Sequence, residues 1–143
     1  MQVNLHWLCF CVLTVSLTGT GSWAHAATSV KNGVFSQAQA KRGQGVIIEA
    51  CASCHSISLL GGEGNTPPLV GDGFQNKWNG LTLKDLFQKA YSTMPPESPG
   101  RLSKSDYVDA LAFILSSNKY PPGDKDLSSN LEALGQIKIE PYQ

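Results

Sequence analysis

Cys51-Ala52-Ser53-Cys54-His55 decides how this chain is read. The spacing C-x-x-C-H is that of a c-type haem attachment site. Two thiols separated by two residues can each add to a vinyl group of one porphyrin. The next residue brings an imidazole, and one turn of helix points it at the iron. His55 is the only histidine beyond residue 25, so the iron meets no competing imidazole. Zinc knuckles and thiol oxidoreductases also use C-x-x-C. A zinc site needs about four ligands, and Cys51, Cys54 and His55 leave it one short. A thioredoxin-like site expects a strand–helix setting in a βαβ sheet, and no stretch here reads as a run of buried strands.

Upstream of the motif the chain changes character. Residues 1–26 contain no Lys, Arg, Asp or Glu. A mostly apolar run from Leu5 to Leu17 is followed by small residues ending in Ala24-His25-Ala26. This pattern predicts a secretory signal peptide cut before Ala27, although its first residues lack the usual Lys or Arg. The apolar run is well short of the roughly 20 residues of a spanning helix. The mature chain is therefore expected in the periplasm with no transmembrane segment. Cys9 and Cys11 leave with the leader. Cys51 and Cys54 remain, and haem attachment consumes both, so no disulfide framework is expected. Basic and acidic residues balance at 11 each, which argues against a nucleic-acid partner.

Residues 27–35 read as a loose N-terminus. Ser36 can cap a helix from Gln37 to about Ala50 that runs into the haem motif, with Val46, Ile47 and Ala50 as apolar contacts. Gly43 and Gly45 each cost such a helix about 1 kcal/mol relative to Ala, which points either to a close neighbour or to surface tolerance. Ser58 to Gly80 is rich in Gly and Pro and reads as one long loop, of a kind that is usually functional. Thr82 with Asp85, and Ser103 with Asp106, are capping-box pairs that open two further helices. The first carries the stripe Leu83, Leu86, Phe87 and Ala90. The second carries Tyr107, Ala110, Leu111, Ile114 and Leu115, with Phe113 at its border, and ends near Asn118. Pro121-Pro122-Gly123 stops it. In the polar tail, 123–143, Leu127, Leu131, Leu134, Ile137 and Ile139 are spaced to touch a surface.

Met94 is the only methionine besides Met1. It lies in Ser92-Thr93-Met94-Pro95-Pro96, where two prolines fix the backbone and remove two donors. Such a loop can hold a weak thioether ligand on iron; the alternative is an ordinary gap-filling methionine.

Together these residues resemble the small class I c-type cytochromes, over roughly Gln39 to Pro122. Gly43 and Ile47 stand eight and four residues before the first cysteine, where that family has a Gly and a bulky residue. Phe113 fits the aromatic of its C-terminal helix, which crosses the first helix at that Gly. Pro67-Pro68-Leu69-Val70-Gly71 matches the family's P-x-L-x-G. The resemblance implies an all-α, cytochrome c-like fold: three main helices wrapped around one covalently attached haem, with an extended C-terminal tail. The cytochrome domain would span 36–122. It further implies haem c bound through Cys51 and Cys54, with His55 and Met94 as axial ligands of the iron. The Pro67 carbonyl would accept the Nδ1 proton of His55, and Leu69 and Leu86 would pack on the haem faces. Trp78 would either donate to a haem propionate or pack in the core.

Trp78-Asn79-Gly80-Leu81-Thr82 and the stretch from Thr93-Met94-Pro95-Pro96 to Leu102-Ser103 are similar to cytochromes associated with quinoprotein dehydrogenases. The expected role is a one-electron carrier, not an enzyme, between a dehydrogenase donor and an oxidase or other cytochrome acceptor. Lys77, Lys84 and Lys89 could rim a docking patch or simply be a solvated face. Two alternatives stay open: a relay subunit of a dehydrogenase complex tethered by the tail, or a gas- or peroxide-reactive haem protein if Met94 is not a ligand.

Overall fold

The computed structural model describes residues 28–62 and 64–142; the leader expected at 1–26 lies outside them. In chain order it contains strand β1 (Thr28–Ser29), a 3-10 turn (Val30–Asn32), helices α1 (Gln37–Ala50), α2 (Ala52–His55), α3 (Gly71–Trp78), α4 (Leu83–Thr93), α5 (Lys104–Ser117) and α6 (Leu131–Gly135), and strand β2 (Ile137–Lys138). The fold is all-α in character, and α1, α4 and α5 are its three main helices.

Each main helix begins where side-chain chemistry requires. The Ser36 hydroxyl accepts the Gln39 N–H at 3.0 Å and so starts α1. Thr82 and Asp85 exchange bonds reciprocally at the head of α4, as do Ser103 and Asp106 at the head of α5. Each cap satisfies a donor that the helix leaves orphaned, worth about 1 kcal/mol.

Helices α1 and α5 pack on one another more extensively than any other pair of elements. Their closest approach is at Gly43: a Cβ built there would lie 1.8 Å from the Asp109 carbonyl oxygen. Gly45 faces open space. Of the two glycines that weaken α1, one is required by the crossing and the other is not. Ile47 is buried one turn further on, and Phe113 is half-buried beside Ala40 and Gln44. Beside the crossing, Arg42 donates to both Asp109 oxygens, at 2.9 and 3.2 Å, and to Asp126 at 2.7 Å.

Two segments differ from the sequence expectation. The stretch 58–80 is not one loop, because its last third forms α3, burying Phe74 and Trp78. Residues 28–35 are not loose: Val30 and Phe35 are fully buried, and β1 pairs in parallel with β2.

The tail folds back over its own domain. Leu127, Leu134 and Ile139 are buried, and Leu131 and Ile137 pack against the core. The Gln39 side-chain amide exchanges hydrogen bonds with the Leu127 backbone. Ile139 donates to the Leu81 carbonyl and accepts from Gly80 N–H, both at 2.8 Å. The apolar residues that a tether would offer to a partner are used on this chain's own surface.

Two outcomes follow from this packing. Gly43→Ala should lower the unfolding free energy by about 3 kcal/mol or more, because backbone cannot yield to a Cβ at that distance. Gly45→Ala should raise it by up to about 1 kcal/mol; chemical denaturation of both variants checks the contrast. The second concerns acid. Asp126 is held below its ordinary carboxylate range by the Ser36 hydroxyl and by Arg42, and Asp85 by Thr82. Both bind protons more readily unfolded than folded. Their contribution is therefore complete above the ordinary carboxylate pKa of about 4 and is lost as pH falls through their lower folded values. Denaturation midpoints measured against pH should fall in that window, and less steeply in Asp126→Asn.

Candidate functional site

Helix α1 ends at Ala50 and hands the chain to α2, whose single turn carries the C-x-x-C-H motif. The Cys54 and His55 N–H groups both turn back on the Cys51 carbonyl, at 3.1 and 2.9 Å. This places the two sulfurs and the imidazole on one turn. Cys51 is half-buried, Cys54 is exposed and His55 is buried.

His55 Nδ1 lies 3.1 Å from the Pro67 carbonyl. A carbonyl only accepts, so the neutral ring carries its proton on Nδ1 and keeps a lone pair on Nε2. Burial pushes the imidazole below its ordinary value of 6.5, and Lys77 pushes it the same way, against the Pro67 bond. The ring is therefore neutral near pH 7, the form in which imidazole binds a metal.

The loop after α2 is folded hard against it. Ser56 at φ 59° and Leu59 at φ 61° adopt left-handed backbone, which costs a non-glycine residue about 1–3 kcal/mol. A Cβ on Gly62 would meet the Cys54 carbonyl at 2.1 Å. Leu69 donates to the Leu59 carbonyl at 2.8 Å, closing this loop over the motif.

Asn118 fastens the Pro67–Gly71 segment. It is buried at the end of α5, donates to the Leu69 and Ile114 carbonyls at 2.9 and 2.8 Å, and accepts from Gly71 N–H at 3.1 Å. The sequence marked it only as a helix end. An amide just past a helix, able to serve carbonyl and N–H together, was the available signal.

Met94 caps the C-terminus of α4, is half-buried, and gives its N–H to the Ala90 carbonyl at 2.9 Å. Behind the larger effect of burial, Arg101 and Glu97 in the loop that follows respectively lower and raise the Cys51 thiol through their charges. Leu86 is buried on the same helix, Leu69 is half-buried, and Trp78 is buried at the end of α3 with Lys77 Nζ 5.5 Å from its ring centroid. The three lysines do not share one environment: Lys77 lies over Trp78, the Lys84 stem runs beside Gly135 of the tail, and Lys89 is exposed.

The donor set fits haem better than its rivals. Burial raises the Cys51 thiol above its ordinary value, the reverse of the depressed thiol of an oxidoreductase. Among the described residues no group of three or more His, Cys, Asp or Glu side chains could hold a metal ion, so no zinc knuckle is assembled there. The strands are two residues each, so the site sits in no βαβ sheet. A neutral imidazole with a free Nε2 beside two thiols suits a porphyrin that brings four of the iron's ligands itself. An apolar cleft of about 370 Å³ between the N-terminal segment and the tail shares no lining residue with this set.

Comparison with known proteins agrees with this chemistry. The model of the family described as cytochrome C oxidase, cbb3-type, subunit III, matches residues 38–114, from the first turn of α1 into α5. Among solved structures the chain is similar to one described as the sulfane dehydrogenase SoxCD from Paracoccus pantotrophus, at 22% identity and a TM-score of 0.52. The likeness covers 81% of this chain but 61% of the other and speaks for the fold alone. No curated protein matches.

The close return of the loop generates a prediction. Gly62→Ala should displace the segment lying against Cys54. The expected result is a several-fold lower yield of haem-loaded protein, measured by haem staining after denaturing electrophoresis, with the helical circular dichroism of the loaded fraction unchanged.

Proposed function

The chain belongs to this family of c-type cytochrome domains, and on that premise we propose that it is a periplasmic one-electron carrier holding a single haem c through thioether bonds from Cys51 and Cys54. The family implies haem c and haem-based electron transfer. When bound, haem c supplies a reversible one-electron couple in which no substrate bond is made or broken.

The observation that carries the reading is the His55 imidazole: buried, neutral and held through Nδ1 by Pro67, with Nε2 free to bind iron. Met94 would supply a neutral thioether as the second protein ligand, and such a ligand raises the reduction potential. Leu86, buried, and Leu69, half-buried, would pack on the haem faces and exclude water there. The buried Trp78 serves packing, and its indole N–H is suited to a propionate.

Cys54 is exposed, and so are its neighbours Ile57 and Leu60. From Ala50 to Gly62 there is no Lys, Arg, Asp or Glu. Transfer over this uncharged edge would depend little on salt, in keeping with a chain of zero net charge. A dehydrogenase donor is supported by the resemblance of the Trp78–Thr82 and Thr93–Ser103 stretches, with an oxidase or another cytochrome as acceptor. Export rests on the composition of residues 1–26.

Purification of the full chain from a host competent in cytochrome maturation tests the carrier reading. The reduced-minus-oxidised spectrum should be that of a low-spin c-type haem, and carbon monoxide should bind the native ferrous protein slowly and incompletely. Rapid, complete binding would mean an open site and would favour a gas- or peroxide-reactive protein. His55→Ala should lose stable holoprotein; normal haem content in that variant would overturn the role given to His55.

A further inference from the structure

Tyr107 lies in the first turn of α5 and is buried. As one apolar position of a helical stripe it would only pack. Its hydroxyl does more. It donates to the Met94 carbonyl at 2.5 Å and accepts the Gly100 N–H at 3.1 Å. One oxygen thus joins the two ends of the loop 94–100. The direct bond between those ends, Gly100 N–H to the Met94 carbonyl, is long at 3.4 Å.

The hydroxyl is aimed by its surroundings. The Tyr107 ring meets Phe87 edge-on at 6.2 Å and Tyr91 at 5.3 Å, both on α4, the helix that ends at Met94. Such edge contacts fix a ring's orientation. The Ser103–Asp106 capping box fixes the turn from which Tyr107 projects. Gly100, at φ 74°, lies against the Tyr91 ring.

Met94 therefore has both backbone groups tied. Its N–H makes the last bond of α4, and its C=O is held by Tyr107. Pro95 and Pro96 follow and bring no N–H that could do the same work.

We propose that Tyr107 is the positioning residue for the Met94 thioether: by closing the loop through one hydroxyl it holds the sulfur against displacement. The inference rests on the reading of Met94 as an iron ligand. A thioether is a weak ligand, and its occupancy depends on how rarely its loop opens. Each neutral hydrogen bond contributes a factor of roughly five, so loss of both should favour the displaced state about ten- to thirtyfold.

The test uses full-length holoprotein and imidazole as the competing ligand. Imidazole is titrated into the oxidised protein while the weak long-wavelength absorption of iron–thioether bonding is followed. Tyr107→Phe keeps the ring and removes the hydroxyl. It should bind imidazole about ten- to thirtyfold more tightly than wild type, while Tyr142→Phe, in the tail, should match wild type. A Tyr107→Phe affinity within twofold of wild type, even with a lowered melting temperature, would show a purely structural role and overturn the proposal. Absence of the long-wavelength absorption from wild type would overturn the reading of Met94 together with it. If Tyr107→Phe yields no holoprotein, exchange of the Gly100 amide in wild type decides. Slow exchange supports the closed loop, and exchange at the rate of an open loop overturns it.

Discussion

Two helices can approach no closer than backbone against backbone, and Gly43 brings α1 to that limit against Asp109 of α5. The rest of the site is hung from this crossing. Helix α1 runs on from it to Cys51, so the motif's position is set by how α1 lies on α5. The far end of α5 supplies Asn118, which fastens the Pro67–Gly71 segment that in turn holds His55. The near end of α5 supplies Tyr107, which holds Met94. The same helix thus steadies both proposed axial ligands, one at each of its ends. Arg42, Asp109 and Asp126 brace the crossing from the outside. Exposed ion pairs are individually weak, but this one is bidentate and reaches the tail as well.

Two of the three non-glycine residues with positive φ among the described residues follow directly on the motif, the third being Lys119 after α5. Ser56 and Leu59 take up left-handed conformations immediately after His55, in a loop that must turn back sharply for Gly62 to reach Cys54. A relaxed loop would let the motif drift, and a fixed imidazole is what metal ligation requires. The tail adds a second brace. By bonding to Gly80 and Leu81 it secures the entry to α4, the helix at whose other end Met94 stands.

What the sequence made legible is what depends on local chemistry. Ser36, Thr82 and Ser103 announce helices because a cap is satisfied within three residues of itself. The C-x-x-C-H spacing is equally local. Helix α3 escaped because Gly71 and Gly73 argue against a helix, and only Phe74 and Trp78, one turn apart, argue for it. The apolar spacing of the tail was visible, but the surface it meets comes from β1 and α4, remote in sequence. Gly43 and Gly45 look alike in one dimension; only the path of α5 separates them. Tyr107 fits the buried stripe of its helix, while the use of its hydroxyl depends on where a loop seven residues upstream ends. The placements of Cys51, Cys54 and His55 follow from the motif; that of Pro67, twelve residues past His55, was implied only by the family resemblance. That of Asn118 was hinted at by an amide just past a helix, but its partners are set by tertiary structure.

The central claim is that one porphyrin is bonded covalently to Cys51 and Cys54 of an exported chain. Intact-mass measurement of the purified protein under denaturing conditions tests it most directly. The predicted result is a polypeptide beginning at Ala27 that carries the mass of one haem, and loses that increment when Cys51 and Cys54 are both replaced by Ser. A bare polypeptide mass for the coloured protein would contradict it.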